Sequence, residues 1–212
     1  QRAAGGVIVV DAAALAGTIR DKAMRAERFM VAIAGAPASG KSTLSASLRN
    51  ELEKLGETAI VVPMDGFHYD DIILNARGHR SRKGAPFTFD VRGFESLLKR
   101  IKAREPEIAI AVFDRSMELS RAAADIVDET AKFVLVEGNY LLLNQTPWNG
   151  LRALFDFSIY LDVPIDELER RLVKRWLDHG FDMNYATNWI AGNDIHNIRE
   201  VIANSGGADL TI

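Results

Sequence analysis

Short apolar runs and helical patterns alternate along most of the chain. The runs are rich in β-branched residues, as expected for strands that are covered on both faces. They predict strands at residues 29–34, 58–63, 108–113, 133–136 and 157–161, and an edge strand at 209–212. Apolar positions at helical spacing predict helices at about 11–25, 41–55, 92–103, 165–178 and 194–203. This alternation predicts an α/β fold in which helices sandwich a five-stranded parallel sheet.

The carboxyl end of the first predicted strand carries the most informative motif. Residues 35–42 read Gly-Ala-Pro-Ala-Ser-Gly-Lys-Ser and match the phosphate-binding pattern G-x-x-x-x-G-K-[ST]. A strand, a glycine-rich loop and a helix N-terminus together form an anion site from backbone N–H groups and the helix dipole. Lys41 can reach the β- and γ-phosphates of a nucleotide, and the Ser42 hydroxyl can bind Mg²⁺. The predicted nucleotide-binding residues are Gly35, Ala36, Pro37, Ala38, Ser39, Gly40, Lys41, Ser42 and Thr43.

Bulk composition narrows the class of protein. The 212 residues are 48% apolar and 26% charged, as in an ordinary globular protein, and the length suggests one domain over residues 1–212. A formal net charge of −3 argues against general nucleic-acid binding, and the absence of cysteine excludes disulfides and thiolate metal sites. No apolar run reaches the roughly 18 residues that span a membrane. No signal peptide is visible, so we expect a cytoplasmic protein without a membrane partner.

Two acidic residues follow predicted strands at the edge of the sheet where the glycine-rich loop opens. Asp65 lies after the second strand, where a carboxylate can accept a proton from an attacking hydroxyl or hold Mg²⁺ through water. The alternative is a turn aspartate preceding Gly66. Glu137 directly follows the fourth strand, where it could join the Mg²⁺ shell or orient a water, or face solvent as a strand-end charge. Because ligands of parallel sheets bind beyond the carboxyl ends of the strands, both positions are candidate site residues.

Basic residues supply candidates for contact with phosphate groups. Arg115 follows the third predicted strand and could contact an anionic substrate or pair with the adjacent Asp114. The predicted helix at 165–178 carries basic residues at spacings that share a face: Arg170, Arg171, Lys174 and Arg175. Phosphoryl-transfer enzymes place arginines over the γ-phosphate, so this pattern predicts a lid helix. A solvated basic face is the alternative.

The long polar stretch at 69–90 is predicted to be an inserted loop. Phe87 and Phe89 could stack on a substrate while Asp90 hydrogen-bonds to a sugar or polyol hydroxyl. Alternatively, the phenylalanines anchor the loop to the core and Asp90 caps the helix that follows. A polar cluster near the end of the chain could approach the adenine or cap helices: Asn188, Asn193, Asp194 and Asn197.

Several of these motifs occur in an order that resembles a known superfamily. They are the loop at 35–42, Met-Asp-Gly-Phe-His at 64–68, Arg-Lys-Gly at 82–84 with Pro86 and the Phe-Asp pair at 89–90, and Glu-Gly-Asn-Tyr at 137–140. The chain thereby resembles the bacterial pantothenate kinase, uridine kinase and phosphoribulokinase superfamily. Within it, the chain is most similar to nucleoside- and nucleotide-kinase-like proteins that are often labelled fructose transport system kinases. The resemblance covers about residues 29–212 and implies a P-loop NTPase fold with a lid helix.

The resemblance implies roles at the nucleotide end of the site. The glycine-rich loop would bind the phosphates of ATP, and Asp65 would be the catalytic base. Ser42 and Glu137 would share Mg²⁺, with Asp65 nearby. Arg171 and Arg175 match the arginine-rich lid helix and, with Lys41, would stabilise the transferring phosphoryl group. These residues are the predicted catalytic and metal-binding set: Lys41, Ser42, Asp65, Glu137, Arg171 and Arg175.

The resemblance also indicates where the phosphate acceptor would bind. His68, Asp90 and Arg115 fall where relatives contact the acceptor, and Glu137 is predicted to border the same region. Uridine kinases carry Asp-Ser-Phe-Tyr where residues 65–68 of this chain are Asp-Gly-Phe-His. Pantothenate kinases share Asp-Gly-Phe but differ after it, so the contacts to uridine or pantothenate do not transfer to this chain.

These patterns predict a kinase that uses ATP and Mg²⁺ to phosphorylate a hydroxyl of a small metabolite, such as a sugar, a nucleoside or a pantothenate-like alcohol. The alternative is an ATP-binding regulatory module without small-molecule kinase activity, which would release no ADP with any metabolite. A GTPase switch is disfavoured because the chain lacks an Asn-Lys-x-Asp guanine motif. A homodimer is a further expectation.

Overall fold

The computed structural model describes residues 10–212 and contains the predicted parallel sheet. Its five strands run in the order β2-β5-β1-β6-β7, and every neighbouring pair is parallel. The strands of the chain are β1 (Phe29–Gly35), β2 (Ala59–Pro63), β3 (Ile108–Asp114), β4 (Leu119–Val127), β5 (Phe133–Gly138), β6 (Phe157–Leu161) and β7 (Leu210–Thr211). The parallel α/β architecture predicted from the alternation of elements is therefore confirmed.

Helices cover both faces of the sheet, because crossover connections between parallel strands place them there. They are α1 (Ala12–Lys22), α2 (Lys41–Lys54), α3 (Asp71–Ala76), α4 (Val91–Lys102), α5 (Ile165–Asp178), α6 (Met183–Trp189) and α7 (Ile195–Asn204). A π-helical segment (Ile190–Asp194) joins α6 to α7, and short 3₁₀ turns lie at Met64–Phe67, Arg80–Arg82, Pro86–Thr88 and Trp148–Leu154. The stretch at 69–90, which we predicted to be a loop, thus contains α3 and two of these turns.

Two buried layers hold the sheet between the helices, because successive strand residues point to opposite faces. On one face, Met30 and Ala32 of β1 belong to a cluster with Phe94 of α4. On the other face, Val31 and Ile33 belong to a cluster with α1 and α2 that includes Leu48. Every residue of β1 is buried, so the strand that leads into the glycine-rich loop is a rigid base for it.

The predicted strand at 108–113 forms, but its place in the parallel sheet was wrong. β3 pairs antiparallel with β4 in a separate two-stranded hairpin, and β7 supplies the fifth strand of the parallel sheet. β4 was not predicted, because its central residues are exposed and carry no alternating apolar pattern. A run of apolar residues indicates that a strand is buried, but it does not indicate which other strand it pairs with.

The hairpin formed by β3 and β4 lies directly over the turn that carries Asp65. A Cβ atom added to Gly66 would lie 2.2 Å from the carbonyl oxygen of Ala111 in β3, so the turn and the hairpin approach too closely for any side chain. This contact explains why the chain has glycine at position 66. The hairpin thereby forms one wall above the carboxyl edge of the sheet.

Candidate active site

The glycine-rich loop lies between β1 and α2 and has the geometry of an anion cradle. Gly40 has a φ of 100°, in the left-handed region that favours glycine, and it precedes the first residue of α2. The Lys41 ammonium is buried and donates a hydrogen bond to the Ala36 carbonyl oxygen at 2.9 Å. Within residues 10–212 the buried Ser39 hydroxyl has no hydrogen-bond partner. A buried lysine and an unpartnered hydroxyl at a helix N-terminus are suited to a phosphate group.

Electrostatics at Lys41 also favour an anionic ligand. Burial lowers the pKa of Lys41 to about 8, although the carboxylates of Glu137 and Asp65 act in the opposite direction. An ammonium that has lost its hydration and lacks a full counter-charge gains stability when a phosphate group approaches it. Lys41 is therefore prepared for a negatively charged ligand.

Ser42 and Glu137 converge beside the loop. The Ser42 hydroxyl lies 3.0 Å from Oε2 and 3.1 Å from Oε1 of the Glu137 carboxylate, to which it donates. Glu137 is in β5, level with Ile33 of β1 and Pro63 of β2, so the sheet register itself places it at this edge. Burial raises the pKa of Glu137, and the nearby Asp65 carboxylate adds to the effect. A cation at this position would offset the cost of burying a charged Glu137 and would reduce the repulsion between its carboxylate and that of Asp65.

The chemistry of these donors fits Mg²⁺. Mg²⁺ prefers hard oxygen ligands and usually binds to proteins through one or two carboxylates together with waters and substrate phosphates. Ser42, Glu137 and Asp65 supply such oxygens. Among residues 10–212, no group of three or more His, Cys, Asp or Glu side chains could hold a metal by itself. A cation here would therefore depend on nucleotide phosphates for the rest of its ligands.

Asp65 lies in the 3₁₀ turn after β2 and is fixed from the hairpin side. Arg115, just beyond β3, donates from Nη2 to Asp65 Oδ2 at 2.9 Å. In residues 10–212 the other oxygen, Oδ1, accepts no hydrogen bond, so it is available to a ligand. The predicted alternative that Arg115 pairs with the adjacent Asp114 is wrong, because Asp114 instead caps its own turn and lies 3.4 Å from Arg121.

His68 is wedged between two aromatic rings at the same edge. Its ring centroid lies 4.1 Å from that of Phe89 and 4.7 Å from that of Phe113. Its Nδ1 lies 2.7 Å from the Asp65 carbonyl oxygen, a contact in which the nitrogen must be the donor. Burial lowers the pKa of His68, so the imidazole is neutral near pH 7 and Nε2 remains a hydrogen-bond acceptor.

Two arginines of α5 face the loop while the other basic residues of the helix do not. Arg171 points its Nη1 at the carbonyl oxygens of Ala38 and Ser39, each 3.3 Å away, and its Nε donates to Glu167 at 2.6 Å. Arg175 lines the same cavity, where partial desolvation and the charge of Arg115 lower its pKa. The basic residues outside the cavity, Arg170 and Lys174, pair with carboxylates on the exposed side of the helix.

One cavity of about 830 Å³ is lined by the principal side chains of the site: Lys41, Ser42, Asp65, His68, Arg115, Glu137, Arg171 and Arg175. One end of the cavity is lined by an aromatic cluster from the end of α5, the loop that follows it and α6: Trp176, Phe181, Tyr185 and Trp189. Phe181 and Tyr185 stack with ring centroids 4.5 Å apart, and Trp176 meets Phe181 edge-on at 5.1 Å. Sequence reasoning missed this cluster, although aromatic residues at 181, 185 and 189 repeat at helical spacing and could have indicated it.

Lys83 also lines the cavity and was not among the predicted site residues. Its side chain is 6% exposed, and its Nζ donates to Asp71 Oδ1 at 2.7 Å and to the Glu118 carbonyl oxygen at 2.8 Å. This lysine therefore connects α3 to the hairpin at the end of the cavity that is lined by Asp65 and Arg115. Its position in a basic run concealed it, because the sequence does not show which lysine of such a run is buried.

Asp90 is not among the described residues that line the cavity, and its predicted contact with the acceptor stays a prediction, which the capping role does not exclude. It is the N-cap of α4, where its Oδ1 accepts from the Gly93 backbone N–H at 2.9 Å. A Cβ atom at Gly93 would lie 2.1 Å from Asp90 Oδ2, which shows how closely the cap is packed. The capping alternative describes this residue correctly, because the helix terminus uses the carboxylate.

Residues of the polar cluster near the end of the chain contact other elements, and two of them, Asp194 and Asn197, line the cavity, so the approach to an adenine stays a prediction. Asn193 and Asn197 are buried and accept hydrogen bonds from Arg82 at 3.1 and 3.2 Å. Asp194 accepts from the Trp176 indole N–H at 3.3 Å and borders the cavity near Arg175. These residues therefore join the last helices to α5 and to the basic loop, which is the segment of basic residues at 77–84.

Asp194 gives a testable effect on stability. Burial raises its pKa to about 6, from 3.8 in the unfolded chain. The native state thus favours the protonated form, and this contribution to stability is complete below about pH 4 and is lost as the pH rises through 6. We expect Asp194→Asn to raise the free energy of unfolding by about 1–3 kcal/mol at pH 8 and to have little effect at pH 4.

Urea denaturation of both proteins at the two pH values measures this difference. Asp178→Asn is the matched control, because Asp178 forms an exposed pair with Lys174 and should change stability by less than about 1 kcal/mol at either pH. An Asp194→Asn variant that is less stable than the parent protein at pH 8 would contradict the expectation. It would show that the charged carboxylate contributes more through its partners than its burial costs.

None of the described helices, within residues 10–212, is long and apolar enough to cross a membrane.

Comparison with known proteins identifies the family. Residues 30–204 match the family model described as "Phosphoribulokinase / Uridine kinase family". A crystal structure described as that of a "putative fructose transport system kinase" from Silicibacter sp. TM1040 is 42% identical in sequence. It superimposes with a TM-score of 0.91 over 96% of this chain and 99% of that one. This likeness confirms the P-loop kinase fold that the sequence implied.

Two curated relatives support the same conclusion. The "Uncharacterized protein YggC" of Escherichia coli is 33% identical over 187 residues, which are 87% of this chain and 77% of that protein. The "Putative uridine kinase C227.14" of Schizosaccharomyces pombe is 35% identical over 161 residues, which are 73% and 68% of the two chains. The chain therefore belongs to the Phosphoribulokinase / Uridine kinase family of small-molecule phosphotransferases.

Proposed function

We propose that the protein is an ATP- and Mg²⁺-dependent kinase that transfers the γ-phosphoryl group to a hydroxyl of a small metabolite. One observation carries the proposal. Lys41, Asp65, Glu137 and Arg175 lie on four different segments, and all four side chains line the cavity at the carboxyl edge of the sheet. Phosphoryl transfer requires a cationic cradle for the phosphates, a carboxylate base and an arginine that stabilises the transferring group. These components surround one space here.

The nucleotide would bind along the glycine-rich loop. The backbone N–H groups at the start of α2 and the Lys41 ammonium would hold the β- and γ-phosphates, and Arg171 would close over the loop from α5. Mg²⁺, held by Ser42 and Glu137, would neutralise phosphate charge when bound. The cost of burying Lys41 would be offset by these contacts, because the phosphates supply the counter-charge that the protein lacks.

The acceptor hydroxyl would lie beside Asp65. As its oxygen forms a bond to the γ-phosphorus, the bond from that phosphorus to the β–γ bridging oxygen breaks, and ADP leaves. The hydroxyl proton passes to the unpartnered Oδ1 of Asp65, while Arg115 holds Oδ2 and keeps the carboxylate in place. Arg175 would stabilise the charge on the transferring oxygens from the lid side.

The acceptor end of the cavity favours an uncharged molecule with several hydroxyls. Its cations are already paired with carboxylates: Arg115 with Asp65 at 2.9 Å, and both Arg80 and Lys83 with Asp71 at 2.7 Å. No cation of this group is left to bind an acidic acceptor, whereas paired charged groups offer donors and acceptors to hydroxyls. Among sugars, nucleosides and pantothenate-like alcohols, this balance favours a sugar or polyol. The relative described as a fructose transport system kinase is compatible with that choice.

The decisive experiment is ADP release with Mg²⁺-ATP across a panel of sugars, polyols, nucleosides and pantothenate-like alcohols. We expect a sugar or polyol to stimulate release, and we expect the stimulation to disappear in Asp65→Asn and after chelation of Mg²⁺. Confirmed ATP binding together with no stimulation by any compound would overturn the proposal in favour of an ATP-binding regulatory module. Equal stimulation in Asp65→Asn would remove Asp65 as the base.

Arg175→Ala tests the lid. We expect kcat to fall about 100-fold or more while the KM for ATP changes only a few-fold, because Arg175 borders the space for the transferring group and does not touch the loop. Steady-state kinetics measure both constants. Lys174→Ala is the matched control, since Lys174 is on the outer face of the same helix and pairs with Asp178. An unchanged kcat in Arg175→Ala would indicate that the basic residues of α5 only form a solvated surface and do not act on the phosphates.

A further inference from the structure

A second cavity of about 670 Å³ lies between the basic loop and α7. It shares only Asn197 with the main cavity, so the two spaces lie on opposite sides of one buried amide. Its lining includes the cations Arg82 and Arg199, the ring of Phe87 and the indole of Trp148. None of these groups contributes to the proposed phosphoryl transfer.

The described lining of this cavity carries two arginines and one carboxylate, so its net charge is positive. Within residues 10–212, neither Arg82 nor Arg199 has a carboxylate oxygen within 4 Å, whereas the cations at the acceptor end of the main cavity are paired. His196 adds a further nitrogen base, and Glu200 is the one carboxylate in the described lining. Two guanidinium groups around one space favour an anion, and their planar forks suit phosphate oxygens in particular.

Arg82 is held in position before any ligand arrives. Its Nε donates to Asn193 Oδ1 at 3.1 Å and its Nη2 to Asn197 Oδ1 at 3.2 Å, and Asn193 in turn donates to the Lys83 carbonyl oxygen at 2.9 Å. Among the described residues, Arg82 Nη1 has no hydrogen-bond partner. The neutral amides orient the guanidinium without cancelling its charge. A ligand would therefore meet an ordered donor, which lowers the entropic cost of binding.

The cavity also offers an apolar surface beside these cations. Phe87 is 48% exposed, so its ring offers apolar surface to a ligand. The Arg82 guanidinium carbon lies 5.9 Å from its centroid, and the His79 ring lies 4.8 Å away on another side. The Trp148 ring is buried in the wall, and its indole N–H donates to the Pro86 carbonyl oxygen at 3.2 Å. An anion with a planar or apolar portion would place that portion on the exposed Phe87 ring, with the buried Trp148 behind it in the wall.

We propose that this second cavity binds a small phosphate ester, with its phosphate on Arg82 and Arg199 and its apolar portion on Phe87. The site is separate from the proposed phosphoryl-transfer site and requires no turnover. Its failure would therefore leave the proposed kinase activity untouched.

The three tryptophans make the test specific to each cavity. Trp148 borders the second cavity, while Trp176 and Trp189 border the main one. Phenyl phosphate is the probe, titrated into ¹⁵N-labelled full-length protein while the three indole N–H signals are followed by NMR. Single Trp→Phe variants assign the signals. We expect the Trp148 signal to shift and saturate, and we expect phenol, which lacks the phosphate, to leave it in place.

Variants show whether the arginines recognise the phosphate. In Arg199→Gln, the Kd for phenyl phosphate from the Trp148 signal should rise about tenfold or more, because a charge-assisted contact is lost. Arg92→Gln is the control, since Arg92 is exposed on α4 and outside both cavities; its Kd should equal that of the parent protein. If Arg199→Gln loses its dispersed spectrum, Phe87→Ala takes its place, with the Kd expected to rise several-fold.

Three results would overturn the proposal. The Trp148 signal could stay in place up to about 10 mM phenyl phosphate, a concentration at which even a weak site would fill. The shifts could be confined to Trp176 and Trp189, which would place the probe in the main cavity. The Kd could be unchanged in both Arg199→Gln and Phe87→Ala, which would show that these groups do not recognise the ligand.

Discussion

Replacing Lys41 by alanine is expected to lower phosphoryl transfer by more than about 1,000-fold and to weaken ATP binding at least about tenfold. The ammonium is the one cation that projects from the loop itself, 2.9 Å from the Ala36 carbonyl oxygen, so no neighbour can replace it on the phosphates. Its contacts with the γ-phosphate should strengthen as charge moves during transfer, which is why turnover should suffer more than affinity. ADP release and calorimetric titration with ATP measure the two effects.

The stability of this variant separates a lost contact from a lost fold. Burial lowers the pKa of Lys41 to about 8, so the charged group is costly to the nucleotide-free protein, and removing it should leave the free energy of unfolding unchanged or higher. Lys54→Ala is the matched control, because Lys54 is exposed on the same helix and pairs with Glu51. A Lys41→Ala variant that retains turnover within tenfold of the parent protein would refute the assignment of the loop.

Asp65→Asn is expected to lower kcat by about 100- to 10,000-fold while the affinity for ATP changes only a few-fold. The amide has nearly the shape of the carboxylate and can still accept from Arg115, but it cannot take the hydroxyl proton. Nucleotide affinity should survive, because the loop that would hold the phosphates lies on β1 and α2 and not on the turn after β2.

Asp162→Asn serves as the control for this variant. Asp162 follows β6, is exposed and does not line the cavity, so its substitution should leave both constants unchanged. Single-turnover measurements at saturating ATP are the best readout, because they report the chemical step without product release. Full activity in Asp65→Asn would require another proton acceptor, for which the neutral His68 in the same cavity is a candidate.

Local pattern was sufficient for most of the fold. The apolar runs of β1, β5 and β6 are largely buried, and the edge strand β2 is partly buried, so each run indicates a strand without reference to its partners. Helix periodicity likewise located α2, α4, α5 and α7 to within a few residues of their observed ends. The prediction failed at β3 because its partner β4, which follows it directly in the chain, is too exposed to show an apolar pattern, so the hairpin could not be recognised.

The candidate site, like the fold, could be predicted only in part from the sequence. The spacing of the glycine-rich loop and the positions of Asp65 and Glu137 after strands were enough to predict that they meet, because all parallel strands end at one edge. Spacing could not show that Arg115 reaches Asp65 from the hairpin, or that Asp90 is used by a helix cap. Each of those outcomes depends on which of several polar partners comes within about 3 Å, a distance set by packing.

The amino-acid sequence by itself determined the α/β class, the phosphate-binding loop and the set of acidic and basic groups available for chemistry. These properties depend on residue type, on short spacings and on backbone geometry, which act over a few neighbouring residues. Only the tertiary structure decided which charges are neutralised: Arg115 is paired with Asp65, and Arg80 and Lys83 with Asp71, whereas within residues 10–212 Arg82 and Arg199 have no carboxylate oxygen within 4 Å. Electrostatic and hydrogen-bond energies fall steeply with distance and change with burial, so they are settled only once the chain has packed.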